Sequence, residues 1–302
     1  MATTRTMWSS LLRQSKAAVA TFLALLLIIT NLNVAAASRG GTEVRNNPFT
    51  VGYTFKLGGV DQVCSGSLIA STIIVTAAHC VVDESGNKSS DYIFAAPGVA
   101  LDAPINPSIK RPSVIKVFTV PGYKLTASNE SDDIAFLQLD IPLATKGFIR
   151  VATAAEVASL IDKAAIQGYG FGDVFETNAP YSVYTRSYPI LWNSAKNASN
   201  TVTISSTNSS ACFGDSGGPV TTKLSNGEEV LIAAMSGAAQ VINRCGTQIV
   251  GTFVMRVTVV NPYLNLVAEA IKVAPSTSPK QVVKTYKITC VKGKTKKYLT
   301  GT

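Results

Sequence analysis

Between residues 48 and 257 the chain reads as short runs rich in Val, Ile, Thr and aromatic side chains, separated by clusters of Gly, Asn, Ser and Pro. Runs of this length and composition predict β-strands, here at 49–57, 72–76, 114–120, 134–139, 183–192, 201–205, 230–235 and 249–257. Regular strand-turn spacing suits a barrel or a sandwich, so the body is expected to be all-β. Two segments break the pattern. Residues 154–162 predict a short helix, and 262–272 carry Leu264, Val267, Ala268 and Ile271 at helical spacing, behind Asn261 as a cap and Pro262 in the first turn. No internal repeat is visible.

The ends of the chain differ from its body. Arg5, Arg13 and Lys16 precede an apolar run at 17–30, and Ala35-Ala36-Ala37 offers a small-residue cleavage site. Residues 1–37 therefore read as a signal peptide with Ser38 as the mature N-terminus. A retained membrane anchor is the competing reading, against which Asn31 and Asn33 interrupt the run. At the other end, Ala274-Pro275-Ser276-Thr277-Ser278-Pro279 reads as a linker into a lysine-rich tail, which divides the chain into a leader, a domain at 38–273 and a tail at 274–302.

This division changes the meaning of the charge. A formal net charge of +9 on 302 residues suggests a nucleic-acid partner, but three cations lie in the leader and seven lysines follow Lys272 with no acids. The body is near neutral, and no nucleic acid is expected as a partner. With 46% hydrophobic and 15% charged residues, it has ample material for a large core. Five cysteines in an exported chain point to disulfides, with one cysteine left over.

Three segments carry chemistry. The single histidine lies in Thr76-Ala77-Ala78-His79-Cys80, where the apolar run Ile73-Ile74-Val75 gives way to a turn, so the imidazole is held firmly yet can face a cleft. In Gly214-Asp215-Ser216-Gly217-Gly218-Pro219 the flanking glycines permit a tight backbone that exposes a serine, and the N–H groups of Gly214 and Ser216 can converge as an oxyanion hole. In Asp132-Asp133-Ile134-Ala135-Phe136-Leu137 a carboxylate opens a strongly apolar strand and needs a partner, which an imidazole would supply.

In this order and spacing the three segments resemble the trypsin/chymotrypsin family of serine proteases. Cys64-Ser65-Gly66-Ser67-Leu68-Ile69, Gly168-Tyr169-Gly170 and the segment 263–271 agree with it, and the resemblance covers residues 38–272. It implies two six-stranded antiparallel β-barrels with a C-terminal helix, and a cleft between the barrels holding His79, Asp133 and Ser216 as catalytic triad. It also implies disulfides Cys64–Cys80 and Cys212–Cys245, with Cys290 the odd one out. Protein or peptide substrates are implied, with no metal and no organic cofactor, and the chain is read as a monomer.

The family pattern is not followed everywhere. In the family a new apolar N-terminus inserts beside the aspartate preceding the nucleophile, here Asp215, whereas this chain offers Ser38-Arg39-Gly40-Gly41. Either the Ser38 amine pairs with Asp215 once the leader is removed, or other contacts hold the loop around Asp215. Ser210 stands at the pocket floor where a trypsin-like enzyme would carry Asp, Gly251 and Phe253 resemble further pocket wall, and Ser236, Gly237 and Ala238 resemble the strand that pairs with substrate. A floor without charge predicts cleavage after large apolar or aromatic residues; if Ala238 rather than Gly237 lines the mouth, smaller side chains are expected. The tail is read either as a solvated spacer or as a contact to an acidic cell-surface polymer or membrane. The rival function is a catalytically silent homologue that binds through this tail.

Overall fold

The computed structural model describes residues 41–273 except 84, 105–107, 109, 124–131, 173–183, 194–199, 208 and 239–251, and the backbone of 287–292 and 295–300. After the short strand β1 (Thr42–Glu43), the first sheet contains β2 (Thr50–Leu57), β3 (Val60–Ala70), β4 (Ile73–Thr76), β5 (Ser90–Ala95), β6 (Val114–Thr119) and β7 (Ala135–Leu139). Its strands run antiparallel in the order β5-β2-β3-β4-β7-β6 and curl into a half-barrel. The β2–β3 hairpin turns on Gly58 and Gly59, with φ of +59° and +83°, the left-handed pair that a two-residue turn with the twist of a sheet requires.

The second sheet follows the helix α1 (Ala154–Ala158) and contains β8 (Ala165–Gly170), β9 (Arg186–Leu191), β10 (Thr201–Thr207), β11 (Pro219–Lys223), β12 (Glu229–Ala238) and β13 (Thr252–Val259). Its order is β9-β10-β13-β12-β11-β8, and pairing of β8 back onto β9 closes a six-stranded barrel, to which β1 adds at β9. The two-barrel expectation is met, one barrel being closed and the other curled. The tail residues β14 (Lys287–Lys292) and β15 (Thr295–Thr300) pair with each other as a separate hairpin.

Among the described residues three large clusters of apolar side chains make most of the core, beside a small fourth of Ala95, Leu101 and Phe171. One fills the first sheet around Val51, Tyr53, Leu68, Ile74 and Leu137, and one fills the closed barrel around Tyr188, Ile190, Trp192, Ile204 and Val257. The third joins Ile73, Val75 and Phe136 to Leu231, Ala234, Val260 and Tyr263, welding the two sheets together. Because successive strand residues point to opposite faces, β4 sends Ile74 into the first cluster and Ile73 and Val75 into the third. That two-sided burial explains its unbroken apolar run. Each such side chain contributes roughly 1.5–3 kcal/mol, enough to fix β4 firmly at the junction.

The helices depart from the expected boundaries. Helix α1 stops at Ala158, after a start that the sequence encodes well: Thr153 accepts from the Glu156 N–H, and the Glu156 carboxylate accepts from the Thr153 N–H. The segment expected as one helix over 262–272 is a 3-10 helix at Asn261–Leu266 followed by α2 (Ala268–Val273). Asn261 lies inside the 3-10 helix and is not its cap, and no side chain caps that end. Tyr263 and Val267 both enter the third cluster.

Candidate active site

His79 is carried by a one-turn 3-10 helix, Ala78–Cys80, at the end of β4. Asp133 precedes β7, the strand paired with β4, so sheet register brings the two together. Asp132 adopts φ +61°, and the Ile134 N–H reaches back to the Asp132 carbonyl at 2.7 Å, closing a tight turn about Asp133. The Asp133 carboxylate then meets His79 twice. Its Oδ2 lies 2.7 Å from Nδ1 of the imidazole, and its Oδ1 accepts the His79 backbone N–H at 2.9 Å. Two further donors complete the cage: the Ser236 hydroxyl at 2.7 Å from Oδ2 and the Tyr123 hydroxyl at 3.1 Å from Oδ1.

The electrostatics follow from this cage. Burial, which leaves Asp133 4% exposed, pushes its carboxyl up, but the neighbouring imidazole and the donated hydrogen bonds outweigh that and hold it below the ordinary carboxylate range. Burial pushes the His79 imidazole down, and the charge and hydrogen bond of Asp133 carry it above its ordinary 6.5. Tyr123 is pushed up by burial and by the Asp133 charge, so it remains a neutral donor. The imidazole side chain is 24% exposed, open to a reactant on one side.

Ser216 comes from the other sheet, in the turn leading into β11. Gly214 and Gly217 have φ of +96° and +78°. A Cβ on Gly217 would stand 2.1 Å from Thr76 Oγ1 and 2.4 Å from the Ser65 carbonyl, so only glycine lets this turn press against the end of β4. The Ser216 carbonyl accepts the Ser65 N–H at 2.8 Å, and Cys80 Sγ lies 3.9 Å from the same oxygen. The backbone of Ser216 is thereby seated beside the turn that carries His79. Among the described residues no hydrogen bond joins the Ser216 hydroxyl to His79, and the N–H groups of Gly214 and Ser216 donate to none of them.

Two buried features brace these turns. Cys64 and Cys80 form a disulfide tying β3 to the His79 turn, as expected, so neither sulfur is a thiolate ligand for a metal. Asp215 is fully buried and accepts the Gly172 N–H at 2.8 Å and the Cys212 N–H at 2.7 Å. A Cβ on Gly170 or Gly172 would stand 2.1 or 2.2 Å from its carboxylate oxygens, which is why the end of β8 and the segment just after it need glycines. Ser38 lies outside the described residues. Cys212 is disulfide-bonded; Cys245 and Cys290 also lie outside the described side chains.

On the expected pocket side, Ser210 is 5% exposed and its hydroxyl donates to the Ala211 carbonyl at 2.9 Å. Ser236 is the bulged residue of β12, where the register with β13 shifts, and the bulge aims its hydroxyl at Asp133. Gly237 and Ala238 stand opposite Arg256 and Met255 on β13. Gly251 lies outside the described residues, and Phe253 pairs with Ser206. The residue that meets the Ser210–Ala211 segment is instead Met255, whose sulfur accepts the Ala211 N–H at 3.2 Å.

A sequence profile of the family described as Trypsin matches residues 38–264, three quarters of the chain. The chain belongs to the trypsin family. Trypsin-3 of Salmo salar is 28% identical over 191 residues, 60% of this chain and 75% of that protein. The modular serine protease of Drosophila melanogaster is 30% identical over 204 residues, 62% of this chain but only 32% of the relative. Coagulation factor IX of Oryctolagus cuniculus is 28% identical over 181 residues, covering 55% and 63%. This trypsin-family chain is a serine-type endopeptidase, a hydrolase of peptide bonds.

Sequence reasoning about this trypsin-family site missed three things. Tyr123 sits in a turn after Pro121 and Gly122, a context that gives a tyrosine no functional mark. Ser236 was legible only as part of a substrate strand. Met255 reads in the sequence as one more apolar strand residue, because its meeting with Ala211 depends on the barrel closing.

Proposed function

We propose that His79, Asp133 and Ser216 are the catalytic triad of this endopeptidase. Ser216 Oγ attacks the substrate carbonyl as His79 takes the hydroxyl proton, and the imidazolium then protonates the leaving amine. Asp133 fixes the tautomer with Nε2 as base and stabilises the imidazolium. The N–H groups of Gly214 and Ser216 receive the oxyanion. Water, activated by His79, releases the acyl group and restores the serine. The observation that carries this reading is the double hold of Asp133 on His79, at 2.7 Å through the ring and 2.9 Å through the backbone.

The domain limits follow the same reading, with 1–37 as an export signal, 38–273 as the protease domain and 274–302 as linker and basic tail. Export is supported by the Cys64–Cys80 disulfide, which persists in an oxidising compartment. Without an acid at Ser210, the reading favours an apolar residue before the scissile bond.

The test is the intact mass of the purified exported protein before and after a fluorophosphonate, with Ser216→Ala alongside. One adduct, absent from the variant, on a chain beginning at Ser38 is the expected result. A folded chain that takes no adduct would sink the triad assignment and favour a binding-only homologue acting through its tail.

A further inference from the structure

The hold of Asp133 on His79 depends on how the backbone presents that carboxylate. On its C-terminal side the turn is anchored by Ile134 and Phe136, both fully buried in the third cluster. On its N-terminal side stands Asp132 at φ +61°, a left-handed conformation that residues bearing a Cβ adopt only at a cost. Among the described residues the group that grips its side chain is the Tyr263 hydroxyl, which donates to the Asp132 carboxylate and accepts from Asn200 Nδ2 at 3.4 Å. Asn200 is itself left-handed, at φ +55°, and its carbonyl accepts the Val259 N–H at 3.0 Å. One hydroxyl thus joins the turn that carries Asp133, in the first sheet, to the start of β10 in the second. Tyr263 is well placed to serve as an anchor: its ring lies in the third cluster, and its N–H donates to the Val260 carbonyl at 3.0 Å.

We propose that Tyr263 is a positioning residue for the reaction, its hydroxyl locking Asp132 in the left-handed conformation that aims the Asp133 carboxylate at His79. The inference rests on the reading of His79, Asp133 and Ser216 as the triad and adds to it a residue acting through Asp132. Without the hydroxyl, Asp132 relaxes toward an ordinary backbone conformation. Its carbonyl then swings away from the Ile134 N–H, which it now accepts at 2.7 Å, and the turn about Asp133 opens. Such a rotation moves both carboxylate oxygens together, and with them both bonds to His79. A general base displaced by an ångström loses much of its effect. Burial and the bond to Asp132 push the Tyr263 hydroxyl up to about 12, so it is a neutral donor wherever His79 titrates. Replacing it by Phe removes a hydrogen bond and no charge.

The experiment measures kcat, KM and the pH dependence of kcat/KM for the whole enzyme, for Tyr263→Phe, Asp132→Asn and Asp132→Ala, and for Tyr263→Phe combined with Asp132→Ala. Rates are taken per active site, counted with a fluorophosphonate carried to completion, which separates folding losses from slower chemistry. Tyr263→Phe should lower kcat about 10-fold with KM unchanged. As the pair of Asp133 and His79 loosens, the acid limb should move down toward the ordinary imidazole value, by about half a unit. The charged and titratable groups facing this turn are Asp132, Asp133, His79 and the neutral Tyr53, Tyr123 and Tyr263, and this variant changes the charge of none. Asp132→Asn keeps an acceptor and tolerates the left-handed region, so its plateau kcat should stay within about twofold of wild type. Asp132→Ala should lose as much as Tyr263→Phe, and the double variant no more than either. If Tyr263→Phe does not fold, the Asp132 pair decides, and equal kcat for its Asn and Ala forms would refute the tether. Tyr263→Phe with wild-type kcat, or with an acid limb that stays or rises, would overturn the proposal while leaving the triad intact. Failure of wild-type Ser216 to take the probe would instead overturn the underlying reading, and this proposal with it.

Discussion

Asp133 accepts from four donors, and each holds a different part of the candidate site. The two from His79 set the ring, and the Ser236 and Tyr123 hydroxyls spread the carboxylate charge. In the proposed triad His79 acts as a base only when neutral, so, with Asp133 raising its pKa above 6.5, kcat/KM should fall on an acid limb centred above pH 6.5. Removing the Tyr123 hydroxyl leaves Asp133 more basic, which strengthens its hold on the imidazolium. The other ionisable groups facing this carboxylate are His79 itself and the buried, neutral Tyr53. Tyr123→Phe should therefore move the acid limb upward, by about half a unit, with little change on the plateau; a limb that stays put or moves down would refute the electrostatic role. Stability has the complementary signs. The raised His79 contributes below its unfolded pKa and loses that contribution as pH rises through its folded value, while the lowered Asp133 contributes above 3.8 and loses it as pH falls through its folded value.

Among the elements, β4 and the turns at its end do the positioning, because the strand is buried on both faces and cannot shift without opening two cores. The Cys64–Cys80 bond fastens the His79 turn to β3 across 16 residues of chain. The double variant Cys64→Ala/Cys80→Ala should lose about 3 kcal/mol in urea unfolding, from the freed loop of the unfolded chain. Its kcat should fall as well, since Cys80 adjoins both His79 and the Ser216 carbonyl. A variant with full kcat would show that β4 alone holds the imidazole. The closing 3-10 helix also reaches the site: the Tyr263 hydroxyl is hydrogen-bonded to the Asp132 carboxylate, so the left-handed residue before Asp133 is tethered from the opposite end of the fold.

At the scale of the whole molecule, the site exists only where the two sheets meet. Gly217 against Thr76, the Ser65 N–H on Ser216 and the shared third cluster hold that meeting. The hairpin β14–β15 pairs only with itself among the described strands. A chain ending at Val273 should thus keep kcat/KM on small peptides within about twofold, surface changes away from packed features being nearly neutral. A larger loss would place the tail in the protease domain's own stability.

The sequence by itself determined the all-β class and the order of the three motifs, while the Cys64–Cys80 pair and the proposed triad of His79, Asp133 and Ser216 follow from the family resemblance those motifs carry. The class and the motifs are encoded locally, in strand composition and in glycines that a tight turn demands. The tertiary structure alone decided which side chains surround them. Tyr123, Ser236 and Met255 reach their partners Asp133 and Ala211 through long-range closure, by strand register, a β-bulge and barrel packing. The same holds for Tyr263, whose ring enters the third cluster and whose hydroxyl is bonded to the Asp132 carboxylate. Local pattern fixes what a segment prefers to be; what it touches depends on contacts far apart in sequence, whose registers no single segment records.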